Sequence, residues 1–110
     1  MKDLSRWWRS TKEQLLPARR VTLAKGDVMP VALPRRGLML VRDGQEDWSV
    51  AMKCPCGCGQ TVELPLILEA EPRWKLDLDA ELRPTLRPSV WLKDGCRSHF
   101  FIKAGKVVWV

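Results

Sequence analysis

Residues 48–59 read WSVAMKCPCGCG, and they join a strand-like pattern directly to a cluster of cysteines. Trp48, Val50 and Met52 recur at every second position, which is the period of a half-buried β-strand. The residues that follow place three thiols and two glycines in one short stretch. Because a glycine-rich turn can present thiolates to a metal, residues 48–59 predict a sheet whose end is tied down by a metal site.

The same period of two, interrupted by turn residues at short intervals, continues in both directions from this stretch. The sequence predicts a mainly β fold, a small antiparallel β domain over residues 21–110. Proline is expected to interrupt strands or lie at sheet edges, since it donates no hydrogen to a ladder, and the prolines concerned are Pro30, Pro34, Pro65, Pro84 and Pro88. The predicted strands lie at residues 21–24, 38–41, 48–53, 62–66, 74–78, 90–92, 100–103 and 107–110.

Residues 1–20 have a different character and predict a basic amphipathic helical segment ahead of the β domain. Leu4, Trp7, Trp8 and Leu15 fall near one stripe of a helix. Residues 1–42 contain ten basic and three acidic side chains, whereas residues 43–110 contain nine and ten. The excess of basic residues that gives the net charge of +6 therefore lies in residues 1–42. Such a surface favours docking on an acidic partner, a nucleic acid or an anionic lipid.

Length and composition limit the class of protein. A chain of 110 residues with 45% hydrophobic content is expected to close one core, so we expect one globular domain and not a disordered chain. Its apolar runs are far shorter than the ~20 residues that cross a bilayer, and no secretory leader is recognisable. The expected location is therefore the cytoplasm. Cysteines in that reducing compartment bind metals more often than they form disulfides.

Four cysteines and one histidine are available as metal ligands. Two turns that present thiols are typical of a zinc ribbon, so we predict a structural Zn²⁺ site. One ligand set is Cys54, Cys56, Cys58 and Cys96, and the alternative replaces Cys56 by His99. If the chain is extended after Gly95, positions 96 and 99 point to opposite faces, and only a turn continuing past Arg97 brings both to one metal. With one histidine and no H-E-x-x-H motif, the sequence argues against a hydrolytic zinc site.

The predicted hairpin around Asp94-Gly95 suggests a second use for His99. A three-residue loop over residues 93–95 would place Ser89 directly opposite His99. Side chains opposite each other on one sheet face have Cβ atoms about 4.5–5.5 Å apart, which suits a nucleophile and its base. A two-residue loop would instead pair Val90 with His99 and turn Ser89 to the other face.

Several linked motifs resemble a known family. They are Cys54-Pro-Cys-Gly-Cys-Gly59, Trp74, Pro84-Thr-Leu-Arg-Pro-Ser89, Cys96-Arg-Ser-His99 with Phe-Phe-Ile102, and Gly105-Lys-Val-Val108. Together, over residues 48–110, they are similar to the BubE family, small bacterial proteins associated with ubiquitin-like conjugation operons. The resemblance implies a zinc-containing fold and a serine-type peptidase that processes or removes the ubiquitin-like modifier. It further implies Ser89 and His99 as catalytic residues, the four cysteines as zinc ligands, and the ubiquitin-like protein with its conjugation enzymes as partners.

Two further expectations concern the rest of the site and the alternative function. A carboxylate that orients His99 would come from Asp79, Glu81 or Asp94. The alternative to a peptidase is a non-catalytic zinc-binding module that docks on a protein partner or a nucleic acid through the basic N-terminal region. Nucleic acid is the less favoured partner, because the sequence contains no recognised platform for single strands.

Overall fold

Eight β-strands form two four-stranded sheets in the part of the chain that the structure describes. The structure is a computed structural model, and it describes residues 12–13, 15–26, 29–30 and 32–110. The strands are β1 (Val21–Lys25), β2 (Leu38–Asp43), β3 (Glu46–Lys53), β4 (Thr61–Pro65), β5 (Lys75–Leu78), β6 (Pro84–Trp91), β7 (His99–Lys103) and β8 (Lys106–Trp109). The mainly β prediction is therefore confirmed, and each predicted strand overlaps an observed one.

The first sheet has the order β1-β2-β3-β4 and departs from the predicted antiparallel arrangement at one edge. Strand β1 runs parallel to β2, with Val21 opposite Leu38, while β2, β3 and β4 pair antiparallel. A parallel pair needs a crossover connection of about a dozen residues, and residues 26–37 supply one. The sequence of this connection has neither helical nor strand periodicity. The direction of β1 relative to β2 therefore could not be inferred from it.

The second sheet has the order β5-β6-β7-β8 and is antiparallel throughout. Its inward side chains join those of the first sheet in a single hydrophobic core. The largest fully buried side chains come from both sheets and include Phe100, Leu38, Leu40, Met52, Leu86 and Ile102. Burial of each such side chain contributes roughly 1.5–3 kcal/mol to the stability of the fold. A slip of one residue would turn these side chains to the solvent, so their burial fixes the register of the strands.

Proline placement in β6 agrees with the expectation that prolines interrupt strands, although β6 is an inner strand of its sheet. Pro84 and Pro88 both lie within β6, which has β5 on one side and β7 on the other. The ladder with β7 pairs Leu86 with Ile102 and resumes only at Val90 with Phe100. A proline lacks the N–H that a regular ladder requires, and this irregularity accommodates Pro88 without a lost bond. Ser89 therefore sits inside a bulge and not in a regular strand.

The predicted N-terminal helical segment falls mostly on residues 1–11 and 14, which lie outside the described residues. In the described part, residues 12, 13 and 15 are helical and Leu16 N–H donates to Lys12 C=O at 3.2 Å, whereas residues 16–20 are not helical, so the helix ends before residue 20. No helix in that part is long and apolar enough to span a bilayer. The adjoining residues dock on the β7–β8 hairpin, because Arg19 N–H donates to Gly105 C=O at 2.7 Å.

A buried ion pair holds this docked segment in place. The Glu13 carboxylate pairs with the Arg19 guanidinium and accepts from Val107 N–H at 3.1 Å. Glu13→Ala leaves the Arg19 charge buried and unpaired, and we expect it to lower the free energy of unfolding by about 3–5 kcal/mol. Urea unfolding measures this loss. The control is Asp77→Ala, which breaks an exposed pair with Arg87 and should cost roughly 0–1 kcal/mol. Equal effects of the two variants would contradict the prediction.

Candidate functional site

Ser89 and His99 meet on the outer face of the second sheet. Ser89 Oγ lies 2.9 Å from His99 Nε2, and the hydroxyl donates when that nitrogen carries no proton. Both side chains are half-buried. The neighbouring Val90 and Phe100 point inward and are 1% and 0% exposed. Because alternate residues of a strand point to opposite faces, the packed core fixes the two strand segments that carry Ser89 and His99.

The contact arises from a different register than either predicted hairpin. Neither Ser89 nor Val90 is opposite His99, whose partner across the ladder is Trp91. The connection between β6 and β7 covers residues 92–98, longer than both predicted loops, and Leu92 N–H closes it on Ser98 C=O at 2.8 Å. Ser89 lies two residues from Trp91 on the same face, and so it is a diagonal neighbour of His99. Diagonal neighbours are within reach of long side chains such as histidine.

Two tryptophans surround the Ser89–His99 pair. Trp91 stacks on the His99 ring, with centroids 5.1 Å apart and an angle of 14° between the planes. Trp74 Nε1–H donates to the Ser89 carbonyl at 3.3 Å, which anchors the bulge to the adjoining edge of the core. The sequence motif identified Trp74, whereas Trp91 was missed. Trp91 could have been identified only from the register of β6 against β7, because nothing in the local sequence places it opposite His99.

None of the three predicted carboxylates contacts the His99 ring in the described part of the chain. Asp79 instead accepts from Arg83 Nε at 2.6 Å and from the main-chain N–H of Arg83 and of Glu81. The main-chain N–H of Arg83 is the largest cause of a lowered pKa of Asp79. Glu81 also lies by Arg83, at 3.8 Å. Asp79 and Glu81 thus stabilise their own turn, and no hydrogen bond joins Asp94 to the histidine.

The four cysteine sulfurs converge from two separate turns. Cys54 follows β3, and its N–H donates to Gln60 C=O at 2.8 Å, which closes the turn that carries Cys56 and Cys58. Cys96 comes from the connection between β6 and β7. The sulfur atoms all lie within 4.8 Å of one another. Two backbone positions with positive φ make the sharp turns around the first three thiols, Gly57 at 91° and Gly59 at 85°.

This arrangement fits a tetrahedral metal site. Four sulfurs at the zinc–sulfur distance of about 2.3 Å would lie roughly 3.8 Å apart. Cys54 Sγ lies 3.4 Å from Cys56 Sγ and 3.6 Å from Cys96 Sγ, and no two cysteines are joined by a disulfide. The turn does continue past Arg97, whose φ is 55°, yet His99 begins β7 and faces Ser89. The cysteines therefore form a possible metal site without His99.

Ser98 connects the cysteine cluster to the Ser89–His99 pair and was missed by sequence reasoning. It is buried, its hydroxyl lies 3.2 Å from Cys96 Sγ, and Cys54 Sγ donates to it at 3.7 Å. The hydrogen bond from Ser98 lowers the pKa of Cys96 to about 6, whereas burial raises the pKa of Cys54 to about 12. A buried sulfur with so high a pKa becomes a stable thiolate when a cation binds it, which is the chemistry of a metal ligand.

Comparison with known proteins completes the description of the site. A family model described as bacterial ubiquitination-like system serine protease (BubE) matches residues 25–110. The match confirms the predicted resemblance and extends it from residue 48 back to residue 25, so that it includes both sheets except the first four residues of β1. No curated protein and no solved structure matches the chain.

Proposed function

We propose that this chain, which belongs to the BubE family, is a zinc-stabilised serine peptidase acting on the ubiquitin-like modifier of a bacterial ubiquitination-like system. The observation that carries the proposal is the 2.9 Å contact between Ser89 Oγ and His99 Nε2. A serine hydroxyl is a weak nucleophile until a base removes its proton, and this contact places the base at hydrogen-bonding distance. The family description supplies the class of enzyme and the system in which it works.

The reaction follows from the positions of these two side chains. Ser89 Oγ attacks the carbonyl at the end of the modifier's tail while its proton passes to His99 Nε2. His99 returns that proton to the leaving amine as the peptide bond breaks, and water then hydrolyses the acyl ester on Ser89. The reaction also requires main-chain N–H donors that stabilise the negative charge on the carbonyl oxygen. Processing of a precursor and removal of an attached modifier both use this sequence of steps.

Zinc in this proposal is structural. Cys54, Cys56, Cys58 and Cys96 would hold the ion through four thiolates, and a site with four protein ligands is structural and not hydrolytic. Held by these residues, the ion would join the turn at residues 54–60 to the connection at residues 92–98. Ser98 contacts two of the sulfurs and immediately precedes His99. Through Ser98 and Cys96, a metal held by the four cysteines would fix the start of the strand that presents the base.

The proposal is tested by hydrolysis of a bacterial ubiquitin-like modifier that carries a short C-terminal extension. Incubation with the purified chain is expected to release the extension, and mass spectrometry identifies the cleaved bond. The modifier with its tail already trimmed and coupled to a lysine side chain tests removal in the same assay. If the folded chain cleaves neither substrate, the proposed function is wrong.

A second candidate function rests on a cationic cavity beside the cysteine turn. The cavity is about 680 Å³, and four basic residues line it, Lys12, Arg35, Arg36 and Lys53. No acidic side chain of the described residues lines it. Burial lowers the pKa of Arg36, and the repulsion of Arg19 adds to this effect. Arg36 lies 4.0 Å from the Glu13 carboxylate, so the excess positive charge of the cavity comes from Lys12, Arg35 and Lys53. This excess favours an acidic segment of a partner protein, a docking role like the one expected of the basic N-terminal region.

This docking function predicts salt-dependent binding that does not need the nucleophile. A fluorescent glutamate-rich peptide is expected to bind Ser89→Ala as well as the wild-type chain, and several-fold more weakly as salt rises from 50 to 200 mM. Arg35→Ala with Lys53→Ala should reduce the affinity further, and fluorescence anisotropy measures both effects. If neither salt nor the double substitution changes the affinity for the peptide, the cavity is not the docking site.

A further inference from the structure

We propose that Trp91 is the positioning residue for His99 and takes the place of the carboxylate that orients the histidine in a serine–histidine–aspartate triad. This inference rests on the proposed function, because it assigns a role to Trp91 only if His99 is the base. It adds a residue to the site that neither the sequence motifs nor the family description contains.

The first observation is the geometry of the pair. Trp91 and His99 are directly opposite each other on β6 and β7, and their rings are nearly parallel at 14° with centroids 5.1 Å apart. Trp91 is nevertheless 57% exposed. A tryptophan so exposed contributes little to the core, and its one ring partner in the described part of the chain is the imidazole. Its contact with His99 is therefore the main structural use of this side chain.

The second observation is the missing carboxylate. In the triad, the third residue holds the imidazole in one orientation and stabilises the imidazolium that forms when the serine gives up its proton. Among the described residues, none of Asp79, Glu81 and Asp94 has a hydrogen bond to His99. The Trp91 face can serve both purposes. Stacking sets the plane of the imidazole, and the negative face of an indole attracts a cation whose centre lies within about 6 Å of the ring centroid.

A third contact fixes the indole itself. Lys93 Nζ lies 5.2 Å from the centroid of the Trp91 ring. Lys93 belongs to the connection at residues 92–98, which also carries Cys96. The indole thus contacts both this connection, through Lys93, and His99. A ring with fewer accessible rotamers positions the base more closely, and misplacement of a base lowers the rate of the chemical step more than the affinity for substrate.

The test compares three substitutions of Trp91 in the hydrolysis assay. Trp91→Leu keeps an apolar side chain but removes the π face, and Trp91→Ala removes both. We expect kcat to fall about 10- to 30-fold in each, with KM nearly unchanged. Trp91→Phe restores an aromatic face and should return kcat to within about threefold of the wild-type value. The matched control is Phe101→Leu, which removes another exposed aromatic with a lysine 5.2 Å from its centroid and should leave kcat unaltered.

A spectroscopic measurement separates this inference from the proposed function. The chain has one histidine, so the ring protons of His99 are identified without ambiguity in an NMR spectrum. Stacking on the indole shifts the resonances of these protons upfield. Trp91→Leu should move the resonances downfield from their wild-type positions, and Trp91→Phe should move them downfield by a smaller amount. Unchanged histidine shifts overturn the inference, as does a Trp91→Leu variant with wild-type kcat or with only a raised KM. Hydrolysis that survives in Ser89→Ala refutes the proposed function instead, and the histidine shifts still report on the stack.

Discussion

Ser89→Ala is expected to reduce kcat for cleavage of the extended ubiquitin-like modifier by about 10⁴-fold or more, because no other group can form the acyl ester. His99→Ala should cause a loss of similar size, since the Ser89 hydroxyl then keeps its proton. The two side chains act as one unit, so the double variant should be no worse than either single variant. Initial rates measured by mass spectrometry or by release of a fluorescent extension provide all three values.

The control for these variants is a serine outside the site. Ser49 is half-buried on β3 opposite Pro65, and Ser49→Ala should cleave at the wild-type rate. Thermal unfolding and metal content of every variant must match those of the wild-type chain. Two results would refute the assignment. One is cleavage that persists in Ser89→Ala, and the other is a His99→Ala variant that loses its metal and unfolds, because His99 would then be a ligand.

Removal of zinc has the second largest expected effect. The purified chain should hold one zinc ion per molecule, and a strong chelator should abolish its cooperative unfolding transition. Zinc binding to four-ligand sites of this kind supplies about 10–16 kcal/mol in zinc-finger peptides at neutral pH, which is comparable to the roughly 5–15 kcal/mol stability of a typical domain. Cys96→Ser detaches residues 92–98 from the turn at residues 54–60, and it should lose both the zinc and the hydrolytic activity. Elemental analysis and circular dichroism measure these outcomes.

His99→Ala is the matched variant for this prediction as well. It should keep one zinc ion and the wild-type unfolding temperature within a few degrees, although it is inactive. Addition of zinc to the chelated wild-type chain should restore both the transition and the activity. A chain that is folded and active after its metal has been removed would show that the cysteines have no structural metal to hold.

Much of the fold could be predicted because strand alternation is a local property. Trp48, Val50 and Met52 predict β3 from their own spacing, and the short hairpin at Ala104-Gly105 predicts the pairing of β7 with β8. The direction of β1 could not be predicted in the same way. It depends on the path of residues 26–37, whose connection has no periodic pattern, and on which strand of the finished sheet offers a free edge.

Residue types and spacing within residues 54–59 were sufficient to predict a thiol-rich turn, and the reappearance of a thiol at Cys96 was sufficient to predict a second one. Those features of the sequence determine that the chain has a possible metal site of four cysteines and a serine and a histidine near each other along one hairpin. Tertiary structure decided the rest. The connection at residues 92–98 closes through Leu92 and Ser98 and thereby places Trp91 opposite His99, which leaves Ser89 on the diagonal. The irregularity around Pro88 then shifts the register between Val90 and Leu86. A register is set by the packing of two inward faces, and a local sequence pattern does not contain the identity of the residue across the ladder.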